Sequence, residues 1–314
     1  MFLFLKESIL LNHKIEKLGS YEMPIVLALS TSFALSSFYL GYAHCFMWFD
    51  SIAVLPIAVL GLERLYFKQK ASLYWISYVY ILLVNYYIGY MVTIFLAFST
   101  IFLIVISLAN KWMDIKKSIF SSGCVLLYTI LSLLVSSIVV IPSWLAQKNV
   151  TQAKMNFDYS ALFKPFDILA GLFPNASVTG IPAIYSSLLV ALLCISFFTS
   201  RVIGIKEKNI IGIFILILFI SVWIITFYEI WHAFTMPNGY ASRESFVVVF
   251  VLICLAYRAY RMQVYDNFQI WKSFWLLLFI LGFFEYFTSY LSSFTALKII
   301  LLLLLYALLF TLLH

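Results

Sequence analysis

Charge is what this chain has least of: Asp, Glu, Lys and Arg together make up 11% of its 314 residues, against 64% hydrophobic ones. A soluble globule of this length needs far more polar area than that to keep its surface in water, so a soluble enzyme or soluble binding module is excluded. Cysteine is also scarce. Cys45, Cys124, Cys194 and Cys254 form no CxxC pair, and the last three sit in apolar runs where a thiol behaves as a small hydrophobe. Neither a disulfide nor a metal site is expected. No stretch alternates apolar and polar residues over the roughly ten positions of a barrel strand, so the spanning elements are helices.

What remains is hydrocarbon and rings. Aromatic residues reach 19%, which suits helices that face lipid and carry aromatic belts where they leave it. A helix needs about 20 apolar residues to cross a bilayer, and about ten runs meet that need. They fall near 23–43, 49–66, 72–88, 90–109, 119–141, 181–200, 209–230, 244–260, 273–292 and 296–313. The third and fourth share one apolar stretch, divided by "NYYIGYM" (85–91), where Asn85 and Gly89 tolerate non-helical backbone. The expected fold is all-α, a polytopic membrane protein: residues 1–22 form a cytoplasmic stub or helix remnant, and 23–314 a multi-span domain with one long outer loop at about 143–180.

The net charge of +7 is better explained by loop asymmetry than by nucleic acid, which is not expected as a partner. With the amino terminus inside, the loops at 63–70, 111–117, 201–208 and 257–272, together with Lys6, Lys14 and Lys17, place 15 of the 20 cations on the cytoplasmic side. Both termini then lie inside. The opposite face receives "AHCFMWFD" (43–50), "NYYIGYM", the long loop and "WHAFTMPNGYASRESF" (231–246). Inner loops hold interchangeable basic residues, whereas the outer ones hold specific combinations of His, Asp, Asn, Arg and aromatics. A site is expected on the outer face.

Each candidate there has a plain structural alternative. Asp50 can cap the helix starting at Ser51, Asn85 can serve as a turn, and Tyr86, Tyr87 and Tyr90 as interfacial belt. Pro237, Asn238 and Gly239 suffice to reverse the chain, bringing His232 and Arg243 to one rim. Arg243 lies on the side poorest in cations, where its planar fork suits a phosphate; pairing with Glu244, Glu229 or a lipid headgroup is the alternative.

These segments resemble the YfhO family of bacterial membrane proteins. The resemblance runs along most of the chain and rests on "MWFDSIAVLPIAVLGLERL" (47–65), "NYYIGYM", "FDYSALFKPFDILAGLFPNASVTGIPAIYSSLL" (157–189), "KEK" (206–208) and "WHAFTMPNGYASRESF", similar to the family's W-H-x-F-x-x-P-N followed by Arg and Ser-Phe. It implies a GT-C-like glycosyltransferase linked to glycosylation of lipoteichoic acid or another cell-envelope polymer, with a polyprenyl-phosphate sugar as donor. On that reading Arg243 and His232 face the donor phosphate, Asn85, Tyr86 and Asn238 contact sugar or acceptor, and Asp50, in the best-matching motif among the outward carboxylates Asp50, Asp158, Asp167, Glu229 and Glu244, is the catalytic candidate.

The resemblance also implies a longer protein. Family members carry an early extracytoplasmic acidic loop ahead of the region where this chain begins, so the chain is expected to be a fragment, cut at both ends, whose activity truncation can abolish. Two other classes share this composition. A lipid-sugar flippase would place ionisable groups near the bilayer midplane, where the spans here offer only Glu285, and a non-catalytic membrane scaffold would need no site.

Overall fold

The computed structural model describes residues 1–13, 22–148, 157–164, 167–174, 181–237, 239, 242–264, 266–288 and 293–313. Among these residues every regular element is a helix. In chain order they are α1 (Phe2–Glu7), α2 (Glu22–Ala34), α3 (Ser37–Gly41), a 3-10 turn (Phe46–Trp48), α4 (Phe49–Lys68), α5 (Ser72–Val84), α6 (Tyr86–Ala109), α7 (Ile115–Lys148), α8 (Asp167–Ala170), α9 (Leu188–Thr199), α10 (Ile205–Trp223), α11 (Ile225–Trp231), α12 (Ser245–Arg261), α13 (Asn267–Thr288) and α14 (Ser293–Leu313).

Each of the ten apolar runs coincides with a helix or a consecutive pair. Five stretches of described residues are long and apolar enough to cross a membrane: Glu22–Gly41, Phe46–Lys68, Tyr86–Ala109, Ile115–Ala146 and Thr295–Leu312. The expected count of about ten is therefore not reached on length and apolarity. At 1.5 Å per residue, the 13 residues of α5 and the 12 of α9 fall well short of a ~30 Å core. The 34 residues of α7 exceed it, so that helix runs past position 143 and the long loop starts later than expected.

Local chemistry sets the breaks. Asn85 has extended backbone (φ −151°, ψ 100°) and its side chain accepts from the Ile88 N–H at 3.0 Å, which ends α5 and caps α6. Gly89, expected at the same break, is instead helical. A Cβ there would lie 3.2 Å from the Leu82 Cα, so its bare backbone lets α5 and α6 approach closely. Gly61 does the same for α4 and α5, with the Tyr74 backbone nitrogen at 2.4 Å from where a Cβ would sit. Ile224 is extended between α10 and α11, and the 158–163 segment fills the gap: Leu162 N–H donates to the Trp223 carbonyl at 2.8 Å, and the Trp223 indole to the Phe163 carbonyl at 2.8 Å.

Helix α12 is buried on nearly every side, which is the pattern of a central helix. It packs on α2, α9 and α10. At its basic end the helices carry more charge than expected. Glu63 lies within α4 and Arg258 and Arg261 within α12, because both helices run into the basic segments at 63–70 and 257–272. All three have partners. Glu63 accepts from Ser8 Oγ at 2.8 Å and from the Ile9 N–H at 2.6 Å. Arg258 pairs with Glu207 at 3.0 Å and donates to the carbonyls of Leu11 and His13, while Arg261 pairs with Glu22 at 2.9 Å. Residues 1–13, which include the short helix α1, are thereby packed into the bundle, with Phe4 and Leu5 buried.

Candidate functional site

The end of the bundle opposite this lattice brings three distant segments together. Trp48 closes the 3-10 turn, Tyr87 begins α6, and Arg243 lies in the connection from α11 to α12. The Arg243 guanidinium carbon sits 5.5 Å from the Trp48 ring centre and 5.4 Å from that of Tyr87, and its Nη1 donates to the Tyr87 hydroxyl at 3.0 Å. A planar cation between two π faces is held in orientation as well as in place. Arg243 is half-buried.

Asn85 joins the same assembly from below: its Nδ2 donates to the Met47 carbonyl at 3.2 Å, tying "NYYIGYM" to the turn that carries Trp48. Tyr90 donates to the Ile230 carbonyl at 2.9 Å and so ties α6 to α11. Neither link has a signal in sequence.

Behind Arg243 lies a sealed acid–imidazole pair. His232 Nε2 is 3.6 Å from Glu244 Oε2, with both side chains 1% exposed or less. His232 Nδ1 faces the Tyr228 carbonyl at 2.9 Å, and the Tyr228 hydroxyl accepts from the Ser242 N–H at 3.0 Å. Burial pushes the Glu244 carboxyl up to about 8, against an opposing pull from Arg243, and pushes His232 down to about 4, with Arg243 acting the same way. At neutral pH the ring is therefore neutral. The expectation of His232 as a second cation facing a phosphate yields to that of a buried partner for Glu244. Neither Glu244 oxygen nor His232 Nε2 has a close hydrogen bond among the described residues.

The backbone of this connection is strained in keeping. Ala233 (φ 55°), Phe234 (φ 63°) and Ser242 (φ 55°) adopt left-handed conformations that side chains disfavour. Contacts hold them there: Phe234 N–H donates to the Glu229 carbonyl at 2.8 Å, and Ser245 Oγ to the Ser242 carbonyl at 2.6 Å. Gly239 (φ 87°) takes such a conformation at no steric expense.

The remaining expected residues fall around this core. Asp50 is exposed in the first turn of α4, where the cap position belongs to Trp48, and it makes no ion pair among the described residues. Tyr86 is half-buried beside Tyr87, whereas Asn238 lies outside the described residues. The residues not singled out beforehand are Trp48, Tyr87, weighed as belt, and Glu244, treated as one carboxylate among five. Their signal was present: each lies in a quoted motif, and the only cation of the three motifs is Arg243. Among the described residues no group of His, Cys, Asp and Glu is arranged to hold a metal.

No curated protein and no solved structure matches the chain. The family profile described as bacterial membrane protein YfhO matches residues 3–314, a stretch that includes all three converging segments. A match over almost the whole chain shows the family, and this all-helical membrane protein belongs to the YfhO family.

Proposed function

We propose that this chain forms the donor-binding part of a GT-C-like transferase, which moves a sugar from a polyprenyl phosphate to a hydroxyl of lipoteichoic acid or another cell-envelope polymer on the extracytoplasmic face. Loss of the sugar–phosphate bond leaves charge on the departing phosphate, and a fixed cation aimed at that oxygen lowers the barrier. The observation that carries the reading is half-buried Arg243, its guanidinium held over the rings of Trp48 and Tyr87 at the end of the bundle poorest in basic residues. In this reading the His232–Glu244 pair does not touch the phosphate. It fixes the strained turn that presents Arg243.

Asp50 lies two residues after Trp48 and is exposed, so it is the carboxylate assigned to the acceptor side. A flippase reading finds less support from Glu63, Arg258, Arg261 and Glu22, because these ionisable groups within the helices are engaged with fixed partners. The test is made on the gene at its own locus, with lipoteichoic acid and wall polymers analysed by mass spectrometry. Arg243→Ala is expected to remove the sugar substituent while the protein stays in the membrane. Full substitution by sugar in that strain overturns the proposal.

A further inference from the structure

At the basic end of the bundle, α10 and α13 both start beside the last turn of α9. The hydroxyls of Ser196 in α9 and Ser273 in α13 share a hydrogen bond at 2.8 Å, and Thr199 donates to the Gln269 side chain at 3.4 Å. From α10, the Lys208 ammonium donates to the Ser200 carbonyl, at the end of the same helix. Lys272 precedes Ser273 and is exposed. Two lysines from separate helices therefore meet at the carboxyl end of α9.

The charges there do not balance. A helix end offers about half a negative charge, whereas Arg201 ahead of α10 and Lys206 in its first turn, both exposed, add to the two lysines. The nearby acids are used elsewhere: Glu207 pairs with Arg258, and Asp266 Oδ1 accepts from the Gln269 N–H at 3.2 Å. Among the described residues none of these four cations has an ion pair. Burial, and after it the charge of Lys272, lowers the Lys208 ammonium from its ordinary value, so the two lysines are close enough to repel. An anion seated between them removes that repulsion.

The apolar surface beside the lysines decides the kind of anion. On α10, Ile215 and Phe219 follow Lys208 on its own face, and with Ile195 and Phe198 of α9 they line a cavity of about 200 Å³. A cavity of ~150 Å³ takes one benzene, so this one takes a stretch of hydrocarbon chain and not a whole lipid. The exposed Phe198 ring lies between Lys208 and the cavity, against Gly212. On α13, Trp275 and Phe279 follow Lys272 on its face, and both are exposed. Two hydrocarbon tracks thus leave one cationic point. A diacyl lipid has a chain for each, whereas an isoprenyl phosphate covers only one.

We propose that Lys208 and Lys272 clasp the headgroup phosphate of an anionic diacyl phospholipid from the leaflet at this end, with one chain along Phe198, Ile215 and Phe219 and the other along Trp275 and Phe279. Basic pockets between membrane helices are suited to such headgroups. The site lies opposite the Arg243 end and does not rest on the transferase reading. The full chain, purified in neutral detergent, is titrated with phosphatidylglycerol and with phosphatidylcholine of the same acyl chains, and bound lipid is counted by native mass spectrometry. Phosphatidylglycerol is expected to bind several-fold more tightly. The double variant Lys208→Gln, Lys272→Gln should lose that preference, and Lys208→Arg, Lys272→Arg should keep it. Lys116→Gln with Lys117→Gln removes two exposed cations at the start of α7 and should also keep it. Equal binding of the two lipids overturns the proposal, as does an equal loss in both glutamine pairs, which would reduce the effect to general charge. Displacement of phosphatidylglycerol by an equimolar isoprenyl phosphate overturns the diacyl assignment.

Discussion

Arg243 and Tyr87 are 156 residues apart in the chain, yet the guanidinium donates to the phenol at 3.0 Å and lies 5.4 Å from the centre of its ring. That one contact joins the start of α6 to the approach to α12, and Trp48 brings in the start of α4. Three helices thus point their ends at one partly exposed cation.

The contact predicts unequal losses on substitution. Tyr87→Phe keeps the π face and removes only the hydroxyl, a change worth about 1 kcal/mol. Arg243→Lys keeps the charge but gives up the guanidinium's contact with both rings, about 1 kcal/mol at each face. The expected order of sugar transfer to envelope polymer is unaltered protein, then Tyr87→Phe, then Arg243→Lys, with Arg243→Ala lowest. Equal activity for Lys and Arg at limiting donor would mean that the fork has no part in recognition.

Helix packing gives a test that is independent of function. A Cβ on Gly61 would meet the Tyr74 backbone nitrogen at 2.4 Å and its Cα at 2.5 Å, and backbone cannot swing aside. Gly61→Ala is expected to separate α4 from α5 and to cost several kcal/mol, in the upper range for overpacking a tight core. Gly212 meets nothing nearer than the Phe198 ring at 3.6 Å, so Gly212→Ala should be neutral or slightly stabilising in its helix. Thermal unfolding in detergent separates the two. Similar melting points would show that the α4–α5 contact is looser than described.

Glu63 supports a second stability test. Its carboxylate accepts from Ser8 Oγ and the Ile9 N–H. Glu63→Ala leaves those buried donors without an acceptor, which costs on the order of 1–3 kcal/mol. Ser8→Ala removes one donor and leaves the acceptor engaged, so it should cost less. Limited proteolysis at the amino terminus reports the same difference, and equal protection in both variants would sink the idea that Glu63 pins residues 8–10.

The class of fold was legible because it rests on composition: long apolar runs with few charges admit only helices in lipid. Asn85 was legible as a break, since its side chain is built to cap. Helix ends at the basic side were not. Glu63 and Arg258 look like loop residues in sequence, and they are helical because partners in distant segments satisfy them. The site was half legible. Arg243 stood out as a cation on the wrong side, but its orientation comes from Trp48 and Tyr87, and belt aromatics look alike until the fold chooses among them. His232 is buried beside Glu244, and sequence does not show burial.

Charge asymmetry of the loops predicts that the Arg243 end faces outward. Met236 is 41% exposed at that end, and Lys70 is exposed at the other. In intact cells, a cysteine at Met236 should react with an impermeant thiol reagent and one at Lys70 should react only after lysis. The reverse pattern would place the site in the cytoplasm and remove the envelope polymer as acceptor.

The buried pair behind Arg243 predicts an unusual dependence of stability on pH. Glu244 rises from its ordinary 4.5 to about 8 and His232 falls from 6.5 to about 4, both chiefly by burial. Between pH 4.5 and 6.5 the folded protein holds one proton on Glu244 and the unfolded chain holds one on His232, so their contributions cancel. Between 6.5 and about 8 only the folded state still binds a proton, and stability falls as pH rises. The slope is at most ~1.4 kcal/mol per pH unit. Glu244→Gln carries no proton to lose and keeps the shape of the side chain, so its melting point should stay level across that window while that of the unaltered protein declines. Other groups titrate in both proteins and drop out of the difference. Parallel curves from pH 6.5 to about 8 would show that Glu244 is ionised in the fold, drawn down by Arg243 against the pull of burial.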